Sequence, residues 1–239
     1  MWASPLTEDT DRKQKSCLDR SLRKHSIVHG IATPVCALAR NDTVFREELI
    51  DLNLILASQS PRRRELLGLF HIPFTVRVAD IDEAMDPNKA PFDEVARVSR
   101  LKALAISREA DDTVIAADTI VVCRGRVLGK PRCPEEAAEM LRLLSGKDHQ
   151  VMTGLTVLRG DAAVTHTEVT DIHFRELTDA EITAYVNSGE PMDKAGAYGI
   201  QGGAALFCEK MVGDYYNVVG LPVCKLGQIL KTVAPEFFG

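Results

Sequence analysis

The spacing of apolar positions changes several times along the chain, and each change marks an element. Leu54-Ile-Leu-Ala57 is a short apolar run ending in Ser58-Gln-Ser-Pro61, which reads as a buried strand feeding a helix, with Ser60 as N-cap and Pro61 at the first helical position. Leu66, Leu67 and Phe70 give that helix an apolar side. A second strand is predicted over Phe74 to Val78, followed by the acidic Asp80-Ile-Asp-Glu83. Val95, Val98, Leu101, Ala105 and Ile106 recur at helical spacing and predict a helix from Pro91 to Arg108. Thr113 to Cys123 is almost continuously apolar, the pattern of a central strand covered on both faces, yet Asp118-Thr119 interrupts it. Arg124-Gly125 then turns the chain back towards Gly129-Lys130-Pro131. A helix over Pro134 to Leu144 stops at Gly146, and β-rich runs over Gln150 to Leu158 and Ala162 to Phe174 flank Arg159-Gly160-Asp161 as a hairpin. A helix over Thr178 to Asn187, a Gly-rich segment and a closing helix from Pro222 complete the pattern.

Strands alternating with helices predict an α/β fold, with a mixed or largely parallel central sheet flanked by helices. In such sheets ligands bind beyond the strand ends, often at the first strand–helix turn. Residues 1–50 depart from this pattern. Asp11 to His25 is rich in Lys, Arg, Ser and Asp, and Thr33-Pro34 breaks the next segment, so a flexible or partly helical extension is expected ahead of a domain over 51–239. Glu8, Asp9 and Asp11 fall too early for an acid-poor organellar presequence.

Composition narrows the class. The 239 residues are 45% hydrophobic and 26% charged, with a formal charge of −5, which is ordinary globular usage and excludes disorder throughout. No stretch reaches the roughly 18 uncharged apolar residues of a membrane helix, and no secretory leader opens the chain. A mild acidic balance argues against a nucleic-acid partner. Six widely spaced cysteines with no C-x-x-C predict reduced, mostly buried thiols and a cytoplasmic location. A homodimer is left open.

The charges matter more by position than by sum. Arg62, Arg63 and Arg64 crowd the first turn of a helix, where the macrodipole disfavours each by about 0.3–1 kcal/mol, so an anionic ligand is expected to offset them. Backbone N–H groups, the Ser58 and Ser60 hydroxyls and the Arg62 and Arg63 guanidinium forks together suit a phosphate group. The same residues also read as a basic patch on a capped helix. No Walker-type lysine follows, so this is not a P-loop. Asp118, inside an apolar strand, needs a polar cleft or a cation, a setting that suits a general base; a buried Asp holding a loop is the alternative. Thr119 points to the opposite face of a regular strand, so a bulge is expected if both serve one site. Lys102 interrupts the apolar stripe of its helix and Lys130 sits on a proline-stiffened turn, where each also reads as an ordinary surface lysine. Asp80, Asp82 and Glu83 offer hard oxygen ligands for Mg²⁺ or Mn²⁺, although acidic loops are commonly just solvated. Five glycines between Gly189 and Gly203 are interleaved with Asp193, Lys194, Tyr198 and Gln201, as expected where backbone approaches a ligand and an amide reads a base edge.

Leu56-Ala-Ser-Gln-Ser-Pro-Arg-Arg63, Asp80-Ile-Asp-Glu83, Ala117-Asp-Thr119, Leu128-Gly-Lys-Pro131, Asp193-Lys-Ala-Gly-Ala-Tyr-Gly-Ile-Gln-Gly202 and Asp214-Tyr-Tyr-Asn-Val-Val-Gly-Leu-Pro222 together closely resemble the Maf family, known as septum formation inhibitors. The resemblance runs from about Asn53 to the C-terminus. It implies a fold related to inosine triphosphate pyrophosphatases, with two lobes around a deep cleft, and hydrolysis of a nucleoside triphosphate to monophosphate and pyrophosphate. Arg62 in place of an aromatic residue resembles the subfamily acting on dTTP and UTP. By motif position the resemblance implies Asp118 as proton acceptor, Arg62, Thr119 and Gln201 as specificity residues, and Glu83 as a ligand of Mg²⁺ or Mn²⁺. Arg63, Lys102 and Lys130 would neutralise the triphosphate, with surplus acids outside the cleft or on the metal. A nucleotide-binding regulator of cell division with little turnover is the competing reading.

Overall fold

A computed structural model describes residues 53–78 and 80–238; the extension expected over residues 1–50 lies outside them. Glu48–Gly239 forms one unit. Strand β1 (Leu54–Leu56) leads through Ser58 to helix α1 (Pro61–Gly68), and the Ser60 hydroxyl caps it by accepting from the Arg63 N–H. The next elements are β2 (Phe74–Val76), α2 (Pro91–Leu104), β3 (Thr113–Cys123), β4 (Arg126–Leu128), α3 (Pro134–Leu144), β5 (Asp148–Arg159) and β6 (Ala162–Phe174). After α4 (Asp179–Asn187), which the Thr178–Glu181 capping box starts, three short 3₁₀ turns replace the expected Gly-rich loop. Then come β7 (Cys208–Val212), α5 (Tyr215–Val219) and α6 (Val223–Val233).

The strands form one mixed sheet in the order β2-β1-β3-β5-β6-β7, with β4 also on β3. Among the described strands only β1–β2 and β1–β3 are parallel, so the sheet is mixed and not largely parallel. Connection length explains this: helical crossovers separate the parallel strands, whereas the tight β5–β6 turn and the β3–β4 turn join antiparallel neighbours. In the latter, Arg124 (φ 50°) and Gly125 (φ 77°) are both left-handed, as a two-residue hairpin requires.

Helix α2 stops at Leu104, short of the predicted Arg108. Its buried stripe is Glu94, Val95, Val98, Ser99 and Ala103, while Leu101 and Ala105 face solvent; Ile106, just past the helix end, continues the line of that stripe into the core. This helix lies close on the sheet at Gly154, where an added Cβ would stand 2.6 Å from the Val95 carbonyl carbon. The thiols also differ from expectation: Cys123 is buried, Cys208 half-buried, and Cys133 and Cys224 exposed.

Strand β3 positions the site. Its even-numbered residues pack towards α2, with Val114 and Ala116 beside Ala103 and Ile106, and Ile120 and Val122 beside Val95. Its odd-numbered residues pack the other way, with Ile115 and Ala117 beside Leu66, Leu67 and Leu226. On one edge, β1 pairs with β3 only over Thr113–Ile115 and β4 only over Val121–Cys123. Between them the strand carries Asp118 and Thr119 with no strand neighbour on that side among the described residues.

Candidate active site

A cavity of about 970 Å³ opens at this gap. Ser58, Ser60, Arg62, Arg63, Glu83, Lys102, Asp118, Thr119, Lys130, Lys194 and Gln201 all line it. The residues nominated from sequence are therefore brought together, although they come from segments far apart in the chain.

No bulge is needed to place Asp118 and Thr119 there. The β3–β5 register runs without a break through Asp118↔Gly154 and Thr119↔Thr153. Their side chains leave opposite faces of a regular strand, and both reach the cavity because it wraps the unpaired edge. On the α2 face, the Lys102 ammonium donates to Asp118 Oδ1 at 2.6 Å and lies 2.9 Å from Glu83 Oε2. The Asp118 side chain is 12% exposed, a depth at which a carboxylate needs such a counter-charge. Its Oδ2 has no hydrogen-bond partner among the described residues.

On the opposite face, Arg63 is clamped by protein acceptors. Nε donates to the Gly220 carbonyl (2.8 Å), Nη2 to Thr119 Oγ1 (2.8 Å) and Nη1 to Ser58 Oγ (3.3 Å). Of five N–H groups, two have no partner among the described residues and remain for a ligand. Burial pulls the Arg63 pKa below its ordinary value, opposed mainly by the Asp118 charge. The Asp214–Pro222 motif builds this clamp: the Asp214 carboxylate caps α5 at the Tyr216 N–H, and Gly220, at φ 123°, adopts a backbone conformation other residues avoid. Buried Asn217 ties the same turn to the sheet through Val151 O (3.0 Å) and Thr170 Oγ1 (2.9 Å). Composition and spacing gave no sign of these roles, since the partners lie 47 and 66 residues away.

The third wall is the segment after α4. Asp193 accepts from Lys194 Nζ (2.7 Å) and Arg62 Nη1 (3.3 Å); burial opposes its charge, but these two cations hold its pKa below the ordinary value. Glu190 and Tyr185 buttress the loop that carries Gln201. Tyr185 donates to Glu190 Oε1 (2.9 Å), the Gly203 N–H donates to Oε2 (3.0 Å), and the Gly199 N–H donates to the Tyr185 oxygen (3.0 Å). A Cβ on Gly199 would stand 2.7 Å from Lys194 Cδ, so the loop is glycine for room as well as for turning.

Charges in the cavity wall are more balanced than expected. Five cations (Arg62, Arg63, Lys102, Lys130, Lys194) meet four acids (Asp80, Glu83, Asp118, Asp193), so surplus acids do not all stay outside. Among the described residues, Lys130 has no ion-pair partner. An ionised triphosphate carries more negative charge than this small surplus, and a dication would narrow the difference. The donor chemistry fits one: Glu83 and Asp118 share the Lys102 ammonium and supply hard oxygens, while no group of three or more His, Cys, Asp or Glu is gathered among the described residues. That set suits Mg²⁺ or Mn²⁺ held by one or two carboxylates, with substrate phosphates completing the shell.

A dTTP/UTP pyrophosphatase from Alkaliphilus metalliredigens (strain QYMF) is 50% identical over 182 residues, covering 74% of this chain and 94% of the relative. Another from Bacillus cereus (strain G9842) is 48% identical over 179 residues, with the same coverage. Among solved structures, a HAM1 protein from Coxiella burnetii overlays with a TM-score of 0.43 at 15% identity, covering 76% of this chain and 99% of that one. Residues 53–233 match the family model described as Maf-like protein, and the chain belongs to that family.

Proposed function

We propose that the domain over 51–239 hydrolyses pyrimidine nucleoside triphosphates, dTTP and UTP first, to the monophosphate and pyrophosphate in the cytoplasm. The observation that carries this reading is the Lys102 bridge, one ammonium in contact with Asp118 and Glu83 inside a cavity that Arg62, Arg63 and Lys130 also line. The relatives named dTTP/UTP pyrophosphatase support the substrate choice.

Lys130, Arg62 and the two uncommitted N–H groups of Arg63 bind and orient the triphosphate. Asp118 takes the proton of the attacking water at Oδ2, since Oδ1 is occupied by Lys102. The displaced pyrophosphate leaves against the cationic wall, and Lys102 stabilises the charge that builds on the α-phosphate oxygens. Glu83 would hold Mg²⁺ or Mn²⁺, which when bound supplies positive charge to those oxygens. Gln201, on its buttressed loop, faces the base. Among the described residues no helix is long and apolar enough to cross a membrane.

A panel of UTP, dTTP, CTP, ATP and GTP with Mg²⁺ and with Mn²⁺ tests the reading. Monophosphate and pyrophosphate from UTP and dTTP are expected. Inorganic phosphate with diphosphate, or tight binding without turnover, would contradict it.

A further inference from the structure

Thr119 stands in a chain of polar contacts whose direction its last member fixes. The Asn217 carbonyl can only accept, so the Thr153 hydroxyl, 3.0 Å away, gives it its single proton. Across the 3.0 Å Thr119–Thr153 contact, Thr153 is then the acceptor and the Thr119 proton is spent on it. From the other side Arg63 Nη2, a donor only, donates a hydrogen bond to Thr119 Oγ1 at 2.8 Å. Among the described residues, Thr119 is left with one uncommitted lone pair and no free proton beside the cavity it lines. Thr153 and Asn217 are fully buried, and the Asn217 amide is held at both Val151 and Thr170, so the chain cannot easily turn round.

We propose that Thr153 is a specificity-determining positioning residue. By accepting the Thr119 O–H it leaves Thr119 a pure acceptor towards the cavity, which reads the ring N3–H of uracil or thymine. The inference rests on the pyrimidine triphosphate reading above. A lone pair without a proton repels phosphate oxygens, so Thr119 serves the base and not the triphosphate. Uracil and thymine offer an N–H between two carbonyls; cytosine, in the same place, offers a lone pair against a lone pair. An unconstrained hydroxyl would rotate and accept either base. Discrimination comes from the mispaired polar group, the kind of contact that rejects a near-isostere most strongly.

Steady-state kinetics with UTP and CTP on three proteins test this. In Thr153→Val the UTP:CTP ratio of kcat/KM is expected to fall about tenfold, chiefly through KM for CTP, whereas Thr153→Ser keeps the wild-type ratio. The wild-type enzyme supplies a second measurement that needs no folded variant: UTP methylated at N3 is expected to show a KM raised about tenfold or more over UTP. A Thr153→Val enzyme with the wild-type ratio, or a wild type that handles N3-methyl-UTP like UTP, overturns the inference alone. A wild type with no preference for UTP over CTP removes the substrate reading and the inference with it.

Discussion

His149 makes the stability of this fold depend on pH in a window of its own. It is 3% exposed, its Nε2 lies 2.9 Å from the Tyr198 hydroxyl, and its Nδ1 has no hydrogen-bond partner among the described residues. Burial among Phe174 and Tyr198 lowers its pKa from 6.5 to about 4. As pH falls through 6.5 the unfolded chain takes up a proton that the folded chain refuses until about 4. The stabilisation is therefore complete above 6.5 and is lost between 6.5 and 4, and by linkage the loss amounts to about 3 kcal/mol. The acid groups held low by arginines act later: Glu94, bonded to Arg97, and Glu181, bonded to Arg175, both sit at about 2, so their stabilisation fades only as pH drops below 4.5. Urea unfolding of the wild type and of His149→Phe at a series of pH values isolates the effect. The variant is expected to be less stable at neutral pH, because Tyr198 loses its partner, yet to lose about 3 kcal/mol less than the wild type on going to pH about 4. Parallel curves for the two proteins would refute the burial argument.

Three further outcomes follow from the site and its support. Asp118→Asn is expected to lower kcat on UTP by about 10²–10⁴-fold with the fold intact by thermal melting, because the neutral amide cannot take the water's proton. Glu83→Gln is expected to raise the Mg²⁺ concentration needed for half-maximal rate by about tenfold or more, read from metal titrations at saturating UTP. Gly154→Ala forces a Cβ into the Val95 peptide of α2 and is expected to cost about 2 kcal/mol or more, measured as a lower urea midpoint at unchanged slope.

Local signals were readable where the physics is local. Ser60 before Pro61, the nearly continuous apolar run over Thr113–Cys123 and the turn at Arg159-Gly160-Asp161 each announce an element through neighbours in sequence, and each element formed. The site residues were legible because misplaced charge has a cost: three arginines against a dipole, a carboxylate in an apolar strand and a lysine in an apolar stripe all call for partners. Who those partners are was not legible. Lys102 meets Asp118 only because α2 crosses the even face of β3, and Thr119 reaches Arg63 only because β1 and β4 leave a gap in the ladder. Glu94 illustrates the same limit. It reads as an ordinary acid in a first turn, yet it is buried, accepts the Asp86 N–H and pairs with Arg97, whose Nη2 holds the Ala84 carbonyl next to Glu83. Thr153, Asn217, Tyr185 and Glu190 have no unusual neighbours in sequence, and their roles arise from packing alone.

Hydrolysis of UTP in water carrying isotopically heavy oxygen tests the central claim most directly, because it reports which phosphorus the water attacks. Asp118 and Lys102 acting at the α-phosphorus predict the label in the monophosphate and none in the pyrophosphate. Label in pyrophosphate or in inorganic phosphate would contradict the account.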